Sequence, residues 1–93
     1  MLCLGALEGR GRLQIDNDLF GPVSYQLIVW QKRNGVQSAR GNLAGKMKPL
    51  MRAFACGTAR LLLKGGVTVP IVLVRFDGKT RAEFLVAGPV PGF

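Results

Sequence analysis

Two stretches of alternating apolar residues, each broken by a glycine-containing pair that reverses the chain, dominate the pattern. From Val67 the run Val-Thr-Val-Pro-Ile-Val-Leu-Val-Arg-Phe reaches Asp77-Gly78 and returns through Arg81-Ala-Glu-Phe-Leu-Val to Ala87. An Asp-Gly pair between two such runs predicts a hairpin, because a two-residue type I′ turn needs positive φ at both central positions. Counting outward sets Val69 against Val86, Ile71 against Phe84 and Leu73 against Ala82. All six are apolar and share one side of the pleat, as alternation with period 2 requires. The other side pairs Val74 with Arg81 and Val72 with Glu83, a mixed face.

The second stretch runs from Val23 to Lys32 and meets Asn34-Gly35, again a hairpin signal. The same counting pairs Trp30 with Ala39, Ile28 with Gly41 and Gln26 with Leu43, large residues against small ones. The opposite face pairs Val29 with Arg40 and Leu27 with Asn42. Upstream, Leu2 to Leu7 reads as a short strand or an arm, and Arg12 to Asp16 as a short half-exposed strand. Asn17 to Pro22 reads as a turn region, with the next strand starting after Pro22 because proline has no backbone donor. Arg60 to Lys64 reads as a buried strand that reverses at Gly65-Gly66.

One helix is predicted, between Gly45 and Gly57. Met47, Leu50, Met51 and Phe54 fall at i, i+3, i+4 and i+7, the spacing of a single face expected to pack on the sheet. Pro49 suits an opening turn and Gly57 the left-handed residue that ends a helix. A segment this short is held by packing rather than by propensity.

Two three-strand meanders joined by a helix predict a mainly β domain over residues 1–93, a six-stranded antiparallel barrel or sandwich. Residues 1–9 form a first strand or an arm, and residues 88–93 an extended Pro/Gly tail. The two halves resemble each other, each with a Val-Ser or Val-Thr start and an Asn-Gly or Asp-Gly turn. The turn sits one residue farther along in the first half, which reverses the inward face unless a bulge absorbs it.

Composition then narrows the chemistry. Thirteen basic residues against five acidic ones give a net charge of +8, which favours anionic partners. There is no His, so the commonest general base and metal ligand are missing. Cys3 and Cys56 are too few and too far apart for a disulfide framework or a zinc site, and read as reduced, buried thiols of a cytoplasmic protein. No apolar run approaches the ~20 residues that span a bilayer. Met1 to Leu7 lack the preceding positive charge of a secretory signal.

Gly41 to Lys46 invites comparison with a phosphate-binding loop, but it is one residue short, and Met47 stands where Ser or Thr must reach magnesium. Lys46, Lys48 and Arg52, beside a helix N-terminus, are a candidate anion site; the alternative is a solvated polar face. Tyr25, Lys32, Arg33, Arg40 and Phe76 are a candidate nucleic-acid surface that mixes cations with aromatics. Of the acids, Asp77 belongs to a turn, Asp16 and Asp18 lie in another, and Ser and Thr residues have no base to activate them. No catalytic residue, metal or cofactor is expected. Many small barrels share this strand-and-helix pattern, cyclic-dinucleotide binders among them, whose arginine and Asp/Ser-Gly signatures this chain lacks; a fold alone licenses no function. The expected role is a non-catalytic protein–protein or self-assembly module, a homo-oligomer and foremost a dimer. Apolar residues on both faces of Val69 to Phe76 and the proline-rich tail motivate it. The alternative is a barrel that binds an anionic ligand or nucleic acid.

Overall fold

In the computed structural model, which describes residues 2–88 and 90, six antiparallel strands close into a barrel. In chain order these are β1 (Leu2–Ile15), β2 (Asp18–Gln31), β3 (Gln37–Ala44), helix α1 (Met47–Cys56), β4 (Ala59–Leu62), β5 (Thr68–Phe76) and β6 (Arg81–Val86). Around the barrel they run β1-β2-β3-β6-β5-β4, two three-strand meanders joined by the helix, as the pattern predicts.

Alternation fills the interior. Leu13 and Ile15, Val23 to Val29 at every second position, Leu43, Leu61, Val69, Ile71, Leu73 and Phe84 all point inward and are buried. Each fully buried aliphatic side chain contributes roughly 1.5–3 kcal/mol. The Tyr25 hydroxyl reaches the edge of this core, where it accepts the Lys64 N–H at 3.0 Å. Two glycines permit the tight closure. A methyl group at Gly11 would lie 2.0 Å from the Leu62 carbonyl oxygen, and one at Gly41 would lie 1.9 Å from that of Gln26. Neither position has room for a side chain.

The two hairpins reach their registers differently from a two-residue count. At Asn34-Gly35 the Gly35 N–H donates to the Lys32 carbonyl, the Lys32 N–H donates to the Val36 carbonyl, and Gly35 has φ +83°. The loop is therefore three residues, Arg33 to Gly35, a common alternative for such sequences. One extra residue moves the register by one, so Val29 faces Ala39, Leu27 faces Gly41 and Tyr25 faces Leu43 inside the barrel. Trp30, Ile28 and Gln26, expected opposite Ala39, Gly41 and Leu43, lie on the outer face instead.

At the later hairpin Asp77 pairs with Arg81, closing a three-residue loop over Gly78 to Thr80. A bulge at Val74 then shifts the ladder back by one, and Ile71 faces Val86 while Leu73 faces Phe84. The net displacement is even, so the inward face survives although the individual pairs change. Asp77 Oδ1 accepts the N–H groups of Lys79 at 2.8 Å and Arg81 at 3.1 Å. Those bonds hold its carboxyl below the ordinary 3.8. Their support of the turn is present above that ordinary value and is lost as pH falls through the lowered one.

Other departures have local causes. Residues 2–15 form one strand rather than an arm and a separate strand, because β2 pairs along its whole length. β2 begins at Asp18, not after Pro22. Gly21 and Pro22 sit opposite the single residue Arg12 at a bulge, where the missing proline donor disrupts no ladder bond. In α1 the buried residues are Leu50 and Ala53, whereas Met47, Met51 and Phe54 remain half-exposed. The helix packs edge-on against β5, β1 and β6, so one side of the apolar stripe meets the barrel. At the far end, Val90 is buried and its N–H donates to Gln37 Oε1 at 3.2 Å. Positions 89 and 91–93 of the expected tail lie outside the described residues. Among those described, no helix is long and apolar enough to cross a membrane.

Candidate assembly edge and basic surface

The short length of β4 determines what β1 exposes. Arg12 to Gln14 pair with β4 on one side, and β2 flanks that segment on the other. After Leu62 the chain turns away: Leu63 N–H donates to the Val67 carbonyl, and Lys64 to Gly66 form the reversal. Lys64 still lies beside Gly9, where an added methyl group would sit 3.7 Å from its Cβ. From Leu2 to Glu8, however, β1 meets β2 on one side and no strand among the described residues on the other. Every second residue of an edge strand directs its backbone N–H and C=O outward, and those groups take water or another strand. Along this edge Leu2 is 61% exposed, Cys3 and Ala6 are exposed, and Leu4 and Leu7 are partly buried against the core. Cys56 is exposed on α1 as well, so neither thiol is buried as expected.

Next to the edge, the outer face carries two parallel cross-strand rows. Ala6, Ile28, Arg40, Leu85 and Val72 form an apolar row interrupted by one cation. Glu8, Gln26, Asn42, Glu83 and Arg75 form a polar row beside it. Over the polar row lies an open groove of about 860 Å³. Within the row, Gln26 Nε2 donates to Glu8 Oε2 at 3.3 Å, and Arg75 lies 3.9 Å from Glu83.

The residues singled out from the sequence scatter over this frame. Lys46 is the helix N-cap residue and makes no side-chain cap, and Lys48 lies in the first turn. Arg52 turns toward the β1–β2 turn, 3.2 Å from Asp18 and 4.0 Å from Asp16, with its guanidinium 5.4 Å from the Phe20 ring centre. Two carboxylates thus already face the third cation of the candidate anion trio.

Tyr25 is a correction. It is buried in the core rather than offered to a nucleic acid, because it alternates with Val23, Leu27 and Val29 on the apolar side of β2. Phe76 is partly buried, its ring 6.1 Å from that of Phe54. Lys32 and Arg33 flank the β2–β3 reversal at the opposite end, separated from the Phe76 level by about six residues of β3, roughly 20 Å. Arg40 lies on the outer face between Ile28 and Leu85. These five residues do not share one surface.

The structure instead gathers Arg10, Arg12, Arg60 and Lys64, which the sequence reading left aside. Arg10 and Arg12 alternate along β1, a signal visible in the chain. That β4 carries Arg60 alongside them depends on the pairing of Arg12 with Leu62 and Gln14 with Arg60. Among the described residues, no group of three or more Cys, Asp and Glu side chains could hold a metal ion. Compared with known proteins, the chain matches no family model, no curated protein and no solved structure.

Proposed function

We propose that the protein is a non-catalytic assembly module in which the β1 edge of one copy pairs with the β1 edge of a second. The supporting observation is the segment Leu2 to Glu8, whose outward side faces no strand among the described residues and whose exposed side chains include Leu2, Cys3 and Ala6. Antiparallel pairing of identical edges about a two-fold axis is self-complementary. It satisfies the outward backbone groups by strand addition and shelters apolar surface from water.

Light scattering under reducing conditions tests the reading. A mass near twice 10.0 kDa is expected, and a monomer at the highest attainable concentration overturns the proposal. Replacing Leu2 and Cys3 together by Lys places extra charge on the paired edges, a device that natural edge strands use against pairing. The double variant is expected to be a folded monomer whose melting temperature no longer rises with concentration, since neither side chain belongs to the core.

A further inference from the structure

We infer that Arg10, Arg12, Arg60 and Lys64 form a binding site for the phosphate backbone of a nucleic acid, independently of whether β1 edges pair. The first support is a charge count. Of thirteen Lys and Arg residues, only Arg52 and Arg75 lie within 4.0 Å of a carboxylate among the described residues, so eleven have no such partner. Most of these are dispersed, but Arg10, Arg12 and Arg60 share one outer face, with Lys64 at its margin. Arg12 lies opposite Leu62 in the β1–β4 ladder, and Arg60 is two positions from Leu62 on the same face of β4. Such diagonal neighbours are roughly 7–8 Å apart. Lys64, two residues past the end of β4, borders this face near Gly9, which precedes Arg10 in β1 but faces the other side of the strand. All four are exposed.

The surroundings favour this ligand. On β5 the facing residues are Thr68 and Pro70, neither of them charged. Glu8, two positions from Arg10 on the same face of β1, keeps its charge but makes no ion pair within 4.0 Å among the described residues, and one of its oxygens accepts from Gln26 Nε2. Three of the four cations are arginines, whose planar guanidinium matches phosphate oxygens in a bidentate manner. Arg10 and Arg12, two positions apart on an extended strand, present charge in a line that suits an elongated polyanion. An anionic lipid surface would instead require apolar side chains around the cations. Among the described residues, a single exposed large apolar side chain, Leu19, stands opposite Gln14 beside Arg60, whereas Met47, Met51 and Phe54 lie on α1. Among the described residues no exposed aromatic stands opposite these arginines across the ladders, so binding is expected to be insensitive to sequence and steeply dependent on salt.

Fluorescence anisotropy with a labelled mixed-sequence single strand of roughly 20 nucleotides tests the site across a salt series. Four phosphate contacts predict a slope of log K against log salt near −3, about −0.7 for each. The variant R10Q/R12Q/R60Q/K64Q is expected to bind at least about tenfold more weakly, with most of that slope lost. A charge-matched variant, K32Q/R33Q/K46Q/K48Q, is expected to stay within about threefold of the parent. Melting curves show whether either variant is folded. Equal weakening of both folded variants assigns binding to net charge and overturns the site. So does tighter binding to phosphatidylserine vesicles than to the oligonucleotide, or no binding of the parent at low salt. A dimer that fails to bind, or a monomer that binds, separates this inference from the assembly reading.

Discussion

The two halves of β1 belong to one strand but occupy different surroundings. Its C-terminal part is held by β2 throughout and by β4 from Arg12 to Gln14, and Leu13 and Ile15 are among the most completely buried of the described residues. Its N-terminal part, Leu2 to Glu8, is held by β2 alone and keeps Leu2, Cys3, Ala6 and Glu8 exposed. The difference arises because β4 is four residues long where β1 and β2 have fourteen each. Closure of the barrel therefore rests on a few residues of β1, while the remainder extends the sheet and is available for contacts.

The largest expected effect breaks the closed half directly. Gly11→Val sets a side chain against the Leu62 carbonyl 2.0 Å away, so β1 and β4 must separate. A loss above roughly 4 kcal/mol is expected, measured by urea unfolding or seen as failure to fold. A pair of truncations sharpens the contrast. Leu13→Ala is expected to cost about 2–5 kcal/mol, since Leu13 is fully buried. Leu7→Ala, at a partly buried site of the open half, is expected to cost about 1 kcal/mol. Equal losses in the two variants would show that both halves contribute alike to the core.

The smallest effect is one of dynamics. Amide hydrogen exchange at low protein concentration is expected to show alternating fast and slow amides from Cys3 to Glu8, and protection on both sides from Arg12 to Gln14. Raising the concentration should slow the fast set if edges pair. An unchanged pattern in a protein of dimeric mass would place the interface elsewhere.

How much of this was legible in the chain depends on what fixed each element. The inward face of β5 could be read because Val69, Ile71 and Leu73 alternate with less buried positions, and the loop and bulge beyond them sum to an even displacement. The same reasoning failed for β2. An Asn-Gly pair suits both two-residue and three-residue loops, and that single residue decided whether Ala39 stands opposite Val29 or Trp30 and Leu43 opposite Tyr25 or Gln26. Gly5, Gly9 and Gly11 interrupted the pattern of β1, so its continuity emerged only from pairing with β2. Ala53 escaped notice in α1 because a small residue is a weak hydrophobic signal, yet its size allows the helix to lie close to the barrel. The basic cluster was half legible, in the alternation of Arg10 and Arg12. Its other half depends on a long-range contact between β1 and β4 that no local pattern encodes.

Val90 carries a consequence for the order of events during synthesis. It lies beyond all six strands in the sequence, yet it is buried, with its N–H bound to the Gln37 side chain at the start of β3. A growing polypeptide must therefore emerge with every strand of the ladder before the stopper for that end becomes available. Until then, the interior near Gln37 stays uncorked to solvent.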